Sequence, residues 1–180
     1  MRQRASPSGV AQPFRPRPLL EALVRHEVRF VVIGGVAERM LGSPRTTDDF
    51  DICPATGRGN LDRLAAVLND VGARWAPPGL EDAGFAPVEP WSAATFKSQT
   101  SPSLLTHFGR LDVWFRPDGT AGYRDLLEKA VDVEVGELRV KVVNLEDSMR
   151  IKRTIGGAKY LGHLPLLRDL QRQRRAQGLD

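Results

Sequence analysis

A mixed-sheet α/β fold (α+β in arrangement), with flanking helices and a C-terminal helical segment, is what this chain predicts. Three observations carry the prediction. Short β-branched and aromatic runs alternate with amphipathic stretches along the sequence. The last two of those runs flank a glycine and read as a hairpin. Strands that mix with helices and also form a hairpin argue against a purely parallel, doubly wound sheet.

The elements follow in order. Residues 1–18 contain four arginines, no acid, and several prolines and serines, so they read as a flexible basic arm. A short helix is expected over 19–26. Arg29 to Ile33 reads RFVVI, which suits a buried strand, and Gly34-Gly35 ends it. Residues 36–41 then form a helix whose free N–H groups point back at the turn. Asp49-Phe50-Asp51-Ile52 alternates polar and apolar at the period of a strand. Residues 60–71 give the clearest helix, with Asn60 as N-cap, an apolar stripe of Leu61, Leu64, Ala65 and Leu68, and Gly72 as its close.

Residues 76–90 are rich in proline and glycine and read as a loop. Strands are expected over 94–97, 104–108 and 111–115, followed by a helix over 123–130. Residues 131–135 and 138–143 form the hairpin around Gly136. Helices over 145–154 and 164–175 close the chain. The expected organisation is therefore the arm, 1–18, and one domain, 19–180, whose C-terminal helices occupy 145–175.

Composition bounds the function. With 180 residues, 41% hydrophobic and 27% charged, the chain is long enough for one substantial core. Cys53 is its only cysteine, which excludes an internal disulfide and fits a reducing, cytoplasmic setting. No apolar run approaches the ~20 residues that span a bilayer, and no apolar segment follows the N-terminal arginines as in a secretory signal. Charge is uneven. The first 18 residues hold four arginines and no acid, and residues 150–175 hold eight Lys or Arg against Asp169 alone, so the remainder is net acidic. Basic ends of this kind suit a phosphate backbone, an acidic partner protein, or solubility alone.

The chemistry lies in three places. The Gly34-Gly35 turn lets a ligand approach backbone without a Cβ in the way. Asp49 and Asp51 share one strand face while Phe50 and Ile52 enter the core. Two like charges so placed repel, and a hard cation such as Mg²⁺ relieves that repulsion. Asp112 is the single charge in the apolar run Leu111 to Phe115, so it either reaches solvent or meets a cation. Should its strand lie beside that of Asp49, three carboxylates converge. Such a set suits two-metal nucleotidyl transfer, with ions ~3.5–4 Å apart.

This order of elements resembles the nucleotidyltransferase superfamily typified by DNA polymerase beta: Gly34-Gly35, a spacer, Asp49-x-Asp51, and a third acid on a later strand. Within it, LLEALVRHEVRFVVIGGVA, RTTDDFDI and the segment from GRLDVWF to SMRIK look similar to the minimal bacterial group that includes AbiEii-type and MenT-type toxins. The resemblance implies nucleotide binding by Gly34 and Gly35, and Mg²⁺ or Mn²⁺ ligation by Asp49 and Asp51. Asp112 becomes the third metal ligand and the base. Arg45 would neutralise triphosphate charge, Thr47 would steady the loop or touch a phosphate, and Lys152 would reach the phosphates. On pattern alone Lys152 is a solvated charge on a basic helix, and Trp75, Trp91 and Trp114 are core or loop anchors. The chain departs from the group at Gly157 and Tyr160, where relatives carry Arg and Asp.

The expected activity is transfer of a nucleoside monophosphate from an NTP, ATP among them, to a hydroxyl. An RNA acceptor, the tRNA 3′ end foremost, would make the protein a toxin with a cognate antitoxin. A small-molecule acceptor of the antibiotic type is the alternative, and a nucleotide- or partner-binding module without activity is the third.

Overall fold

The computed structural model describes residues 14–76, 90–98 and 101–179. Most of the predicted arm and most of the predicted loop over 76–90 lie outside the described residues. Helix α1 (Pro16–Arg25) opens the described chain, and its prolines occupy the first turn, where no N–H is needed. The predicted arm therefore ends earlier than Pro18.

Among the described residues seven strands build one mixed sheet: β1 (Phe30–Ile33), β2 (Asp49–Pro54), β3 (Arg74–Trp75), β4 (Ser103–Thr106), β5 (Gly109–Val113), β6 (Val131–Val135) and β7 (Leu138–Val142). Their spatial order is β3-β4-β5-β2-β1-β7-β6. Strand β1 runs antiparallel to β2 and parallel to β7, while β2 runs parallel to β5. The predicted hairpin is β6–β7, antiparallel around Gly136.

The remaining helices are α2 (Gly34–Met40), α3 (Arg58–Asp70), α4 (Tyr123–Glu128), α5 (Leu145–Ile155), α6 (Gly157–Leu161) and α7 (Leu164–Ala176). Helix α2 packs on β1 and β2, α5 packs on α2 and α7, and α1 packs on α3. Among the described residues no helix is long and apolar enough to cross a membrane.

The core is continuous. Val31, Val32, Phe50, Ile52, Leu111 and Val113 are fully buried at the centre of the sheet. Each such side chain contributes roughly 1.5–3 kcal/mol by leaving water. On β2 burial alternates as the sequence pattern requires: Phe50 and Ile52 lie inside and Asp49 and Asp51 only partly so.

Two expectations are corrected. The run over 94–97 is not a strand but part of a 3₁₀ turn, Ala93–Ser98. There Phe96 stacks on Trp91 and meets the edge of Phe115, so its apolar content serves an aromatic cluster and not a ladder. Nor is Asn60 an N-cap, because α3 starts at Arg58 behind Gly57. Asn60 is buried instead: its amide donates to the carbonyls of Arg29 (3.0 Å) and Ala55 (2.8 Å) and accepts from Arg29 N (2.7 Å). It thereby ties α3 to the start of β1 and the end of β2, a satisfied buried polar group in place of a cap. A short strand, β3, and a short helix, α6, had no counterpart in the sequence pattern.

Candidate active site

Strand pairing brings the acids together. In the parallel β2–β5 pair Asp51 stands opposite Asp112, so both carboxylates project from the same face. Asp49 joins them two residues back on β2. One oxygen from each of Asp49, Asp51 and Asp112 lies within 4.8 Å of the others. These are hard oxygen donors of the kind Mg²⁺ and Mn²⁺ prefer, and the cluster can hold a metal ion.

The electrostatics show how costly the cluster is when uncompensated. Burial, reinforced by Asp49 and then Asp112, pushes the Asp51 carboxyl from 3.8 up to about 8, against a Trp114 hydrogen bond and the Lys152 charge. Asp112 is also pushed up, again first by burial; the Ser103 hydroxyl and Arg110 oppose the rise. Ser103 Oγ donates to Asp112 Oδ1 at 2.5 Å, and Arg110 Nε lies 3.4 Å from the same oxygen. Thr47 donates its hydroxyl to Asp49. Each acid is thus aimed by a neighbour.

The glycine pair is required by proximity. Gly34 has φ +66°, and a Cβ there would stand 2.1 Å from Asp51 Oδ2. A Cβ on Gly35 would stand 2.5 Å from Thr47 Oγ1. Backbone and carboxylate therefore approach each other in a way only glycine permits.

Gly34, Gly35, Arg45, Thr47, Asp49, Asp51, Asp112 and Lys152 all line a single cleft of about 370 Å³. All eight residues singled out from the sequence are thus brought together. Lys152 differs from its pattern: it is only 8% exposed, and its Nζ lies 2.9 Å from Glu38 Oε1. Arg45 Nη1 reaches the other oxygen of Glu38 at 3.4 Å. Gly157 has an open surround. The Tyr160 ring lies near Lys152 and Lys159, with Nζ to centroid distances of 5.9 and 5.5 Å.

Sequence reasoning missed several groups here. Trp114 is more than an anchor, because its indole Nε1 donates to Asp51 Oδ1 at 2.9 Å. His163 also lines the cleft; burial, then the charges of Arg45 and Lys152, hold its imidazole below the usual range. Glu38 is 1% exposed. Its signal was available, since a residue four after Gly34 lies one helical turn from the glycine pair on the same face.

No family model matches this chain, and no curated protein does. Among solved structures it is similar to the lincosamide antibiotic adenylyltransferase LnuA in its lincomycin-bound form. That match has a TM-score of 0.56 at 12% identity and covers 86% of this chain and 95% of LnuA. The antibiotic-resistance factor ANT(2'')-Ia in solution gives a TM-score of 0.47 at 14% identity, over 90% of this chain and 91% of that one. The seven-stranded mixed sheet with its flanking helices is a nucleotidyltransferase fold.

Proposed function

We propose that this protein is a nucleotidyltransferase that moves a nucleoside monophosphate from an NTP to an acceptor hydroxyl. The observation that carries the reading is the convergence of Asp49, Asp51 and Asp112 beside the glycine turn. The residues from helix α1 (Pro16–Arg25) onward act as one catalytic domain, in the cytoplasm.

The chain's own residues divide the work. Asp49, Asp51 and Asp112 would hold the divalent metal, with Thr47, Trp114 and Ser103 aiming the three carboxylates. Mg²⁺ or Mn²⁺ bound there would neutralise the acids and polarise the phosphate oxygens. Gly34 and Gly35 offer backbone to the triphosphate, and Arg45 and Lys152 offset its charge. The acceptor oxygen attacks the α-phosphorus, an O–P bond forms, and the bond to the β-phosphate oxygen breaks, releasing pyrophosphate. Asp112 takes the acceptor proton.

The acceptor we favour is RNA, foremost the tRNA 3′ end, in a toxin restrained by an antitoxin. The basic helix α7, with exposed Arg168, Arg172 and Arg175, supports that reading. A small-molecule acceptor is the second reading, and chain length does not speak against it, because LnuA has the same fold over 95% of its chain. Incubation with Mg²⁺, each α-labelled NTP in turn, and either total tRNA or a lincosamide separates the two. Labelled tRNA together with growth arrest on expression supports the first. Labelled drug together with resistance supports the second, and no labelled product in any arm contradicts both.

A further inference from the structure

Glu38 is the most deeply buried acid in the described structure outside the metal cluster, and it has a function to explain. It lies on α2, four residues beyond Gly34, and is 1% exposed. Three groups converge on its carboxylate. Ser148 Oγ donates to Oε1 at 2.8 Å, Lys152 Nζ stands 2.9 Å from the same oxygen, and Arg45 Nη1 stands 3.4 Å from Oε2. Lys152 and Ser148 belong to α5, and Arg45 belongs to the loop between α2 and β2. One carboxylate thus joins both cations assigned to the triphosphate.

We propose that Glu38 is a positioning residue that fixes Lys152 and Arg45 in the cleft, keeping Lys152 away from the acid cluster and facing the triphosphate. The proposal rests on the nucleotidyltransferase reading above. Its physical basis is competition for Lys152. The lysine is near enough to Asp51 for its charge to oppose the rise of that carboxyl. A long flexible ammonium beside four carboxylates settles on the nearest, best desolvated one. Glu38 is already out of water and 2.9 Å from the ammonium, so it keeps the lysine. Without that charge the ammonium is free to pair with Asp51, where it displaces a divalent ion. Arg45 loses its ion pair with Glu38 at the same time.

The test uses the full-length protein and three variants: E38Q, K152M and E38Q/K152M. Mn²⁺ binding is followed by electron paramagnetic resonance. Binding of the Mg²⁺ complex of the preferred NTP and KM against kcat are measured beside it, with thermal unfolding as the control for folding. E38Q is expected to weaken Mn²⁺ binding and to raise KM for NTP by about tenfold or more, the scale seen when a supporting group of a bound ion is lost. E38Q/K152M is expected to regain Mn²⁺ affinity, because the competing ammonium is gone, while its NTP affinity stays low. A purely structural role moves both affinities together and gives no recovery. If E38Q alone does not fold, K152M against E38Q/K152M carries the test, with weaker NTP binding expected in the double variant because Arg45 is unanchored. Equal NTP binding in that pair, or wild-type KM and Mn²⁺ affinity in E38Q, overturns the role of Glu38 alone. Failure of the wild type to bind Mn²⁺ or any NTP overturns the nucleotidyltransferase reading and this inference with it.

Discussion

Gly34 passes so close to Asp51 that a methyl group on its Cα would stand 2.1 Å from Oδ2. The turn and the carboxylate therefore pack too closely for any side chain between them. Gly34→Ala adds this clash to an unfavourable φ of +66°. It is expected to lower stability by about 1–3 kcal/mol and to abolish Mn²⁺ binding. Gly59→Ala is the matched control. It lies in helix α3 with nothing within 4 Å, so it should raise stability slightly, by roughly 0.5–1 kcal/mol. Chemical denaturation of both variants beside the wild type checks the pair.

Asp51 sets the pH dependence. Its folded carboxyl titrates near pH 8, above its ordinary 3.8. Between those values the folded protein holds a proton that the unfolded chain has released, so metal-free stability falls as pH rises through the window and levels off above it. A divalent cation favours the charged form and reduces the fall. Thermal unfolding at about pH 5 and pH 8.5, with and without Mg²⁺, reads this directly. The slope should shrink in Asp51→Asn.

Trp114 supplies the hydrogen bond that most favours the ionised form of Asp51. Trp114→Phe keeps an aromatic ring and removes the N–H donor. Mn²⁺ affinity should fall by about 10–100-fold. Retained secondary structure by circular dichroism would show that the loss is local.

Cys53 is fully buried on β2, and burial, then the charge of Asp125, pushes its thiol up to about 12. A thiolate is the reactive form, so native protein at about pH 8 should resist a thiol reagent. In denaturant the single cysteine should react at once. Rapid modification of the native protein would contradict the position assigned to β2.

Local features carry the parts of this fold that were legible in sequence. The alternation at 49–52 put two carboxylates on one face because strand period is a local property. The β6–β7 hairpin and the terminal helices were readable for the same reason. The partnership of Asp51 with Asp112 depended on which strands become neighbours, and the residues alone left that open. The run at 94–97 misled because Thr95 and Phe96 suit a strand, whereas Phe96 stacks on Trp91. Lys152 looks like an ordinary surface charge by pattern, and the place of Glu38 one helical turn after Gly34 says nothing of its partner. Only the packing of α5 against α2 buries them as a pair.

The most direct measurement of the central claim is transfer of label from α-³²P-labelled NTP into acid-precipitable RNA in the presence of Mg²⁺, for wild type and Asp49→Ala side by side. Mg²⁺-dependent labelling with at least one of the four nucleotides is expected, with release of pyrophosphate in equal amount and loss of both in Asp49→Ala. Labelling that persists undiminished in Asp49→Ala would contradict a reaction centred on Asp49, Asp51 and Asp112.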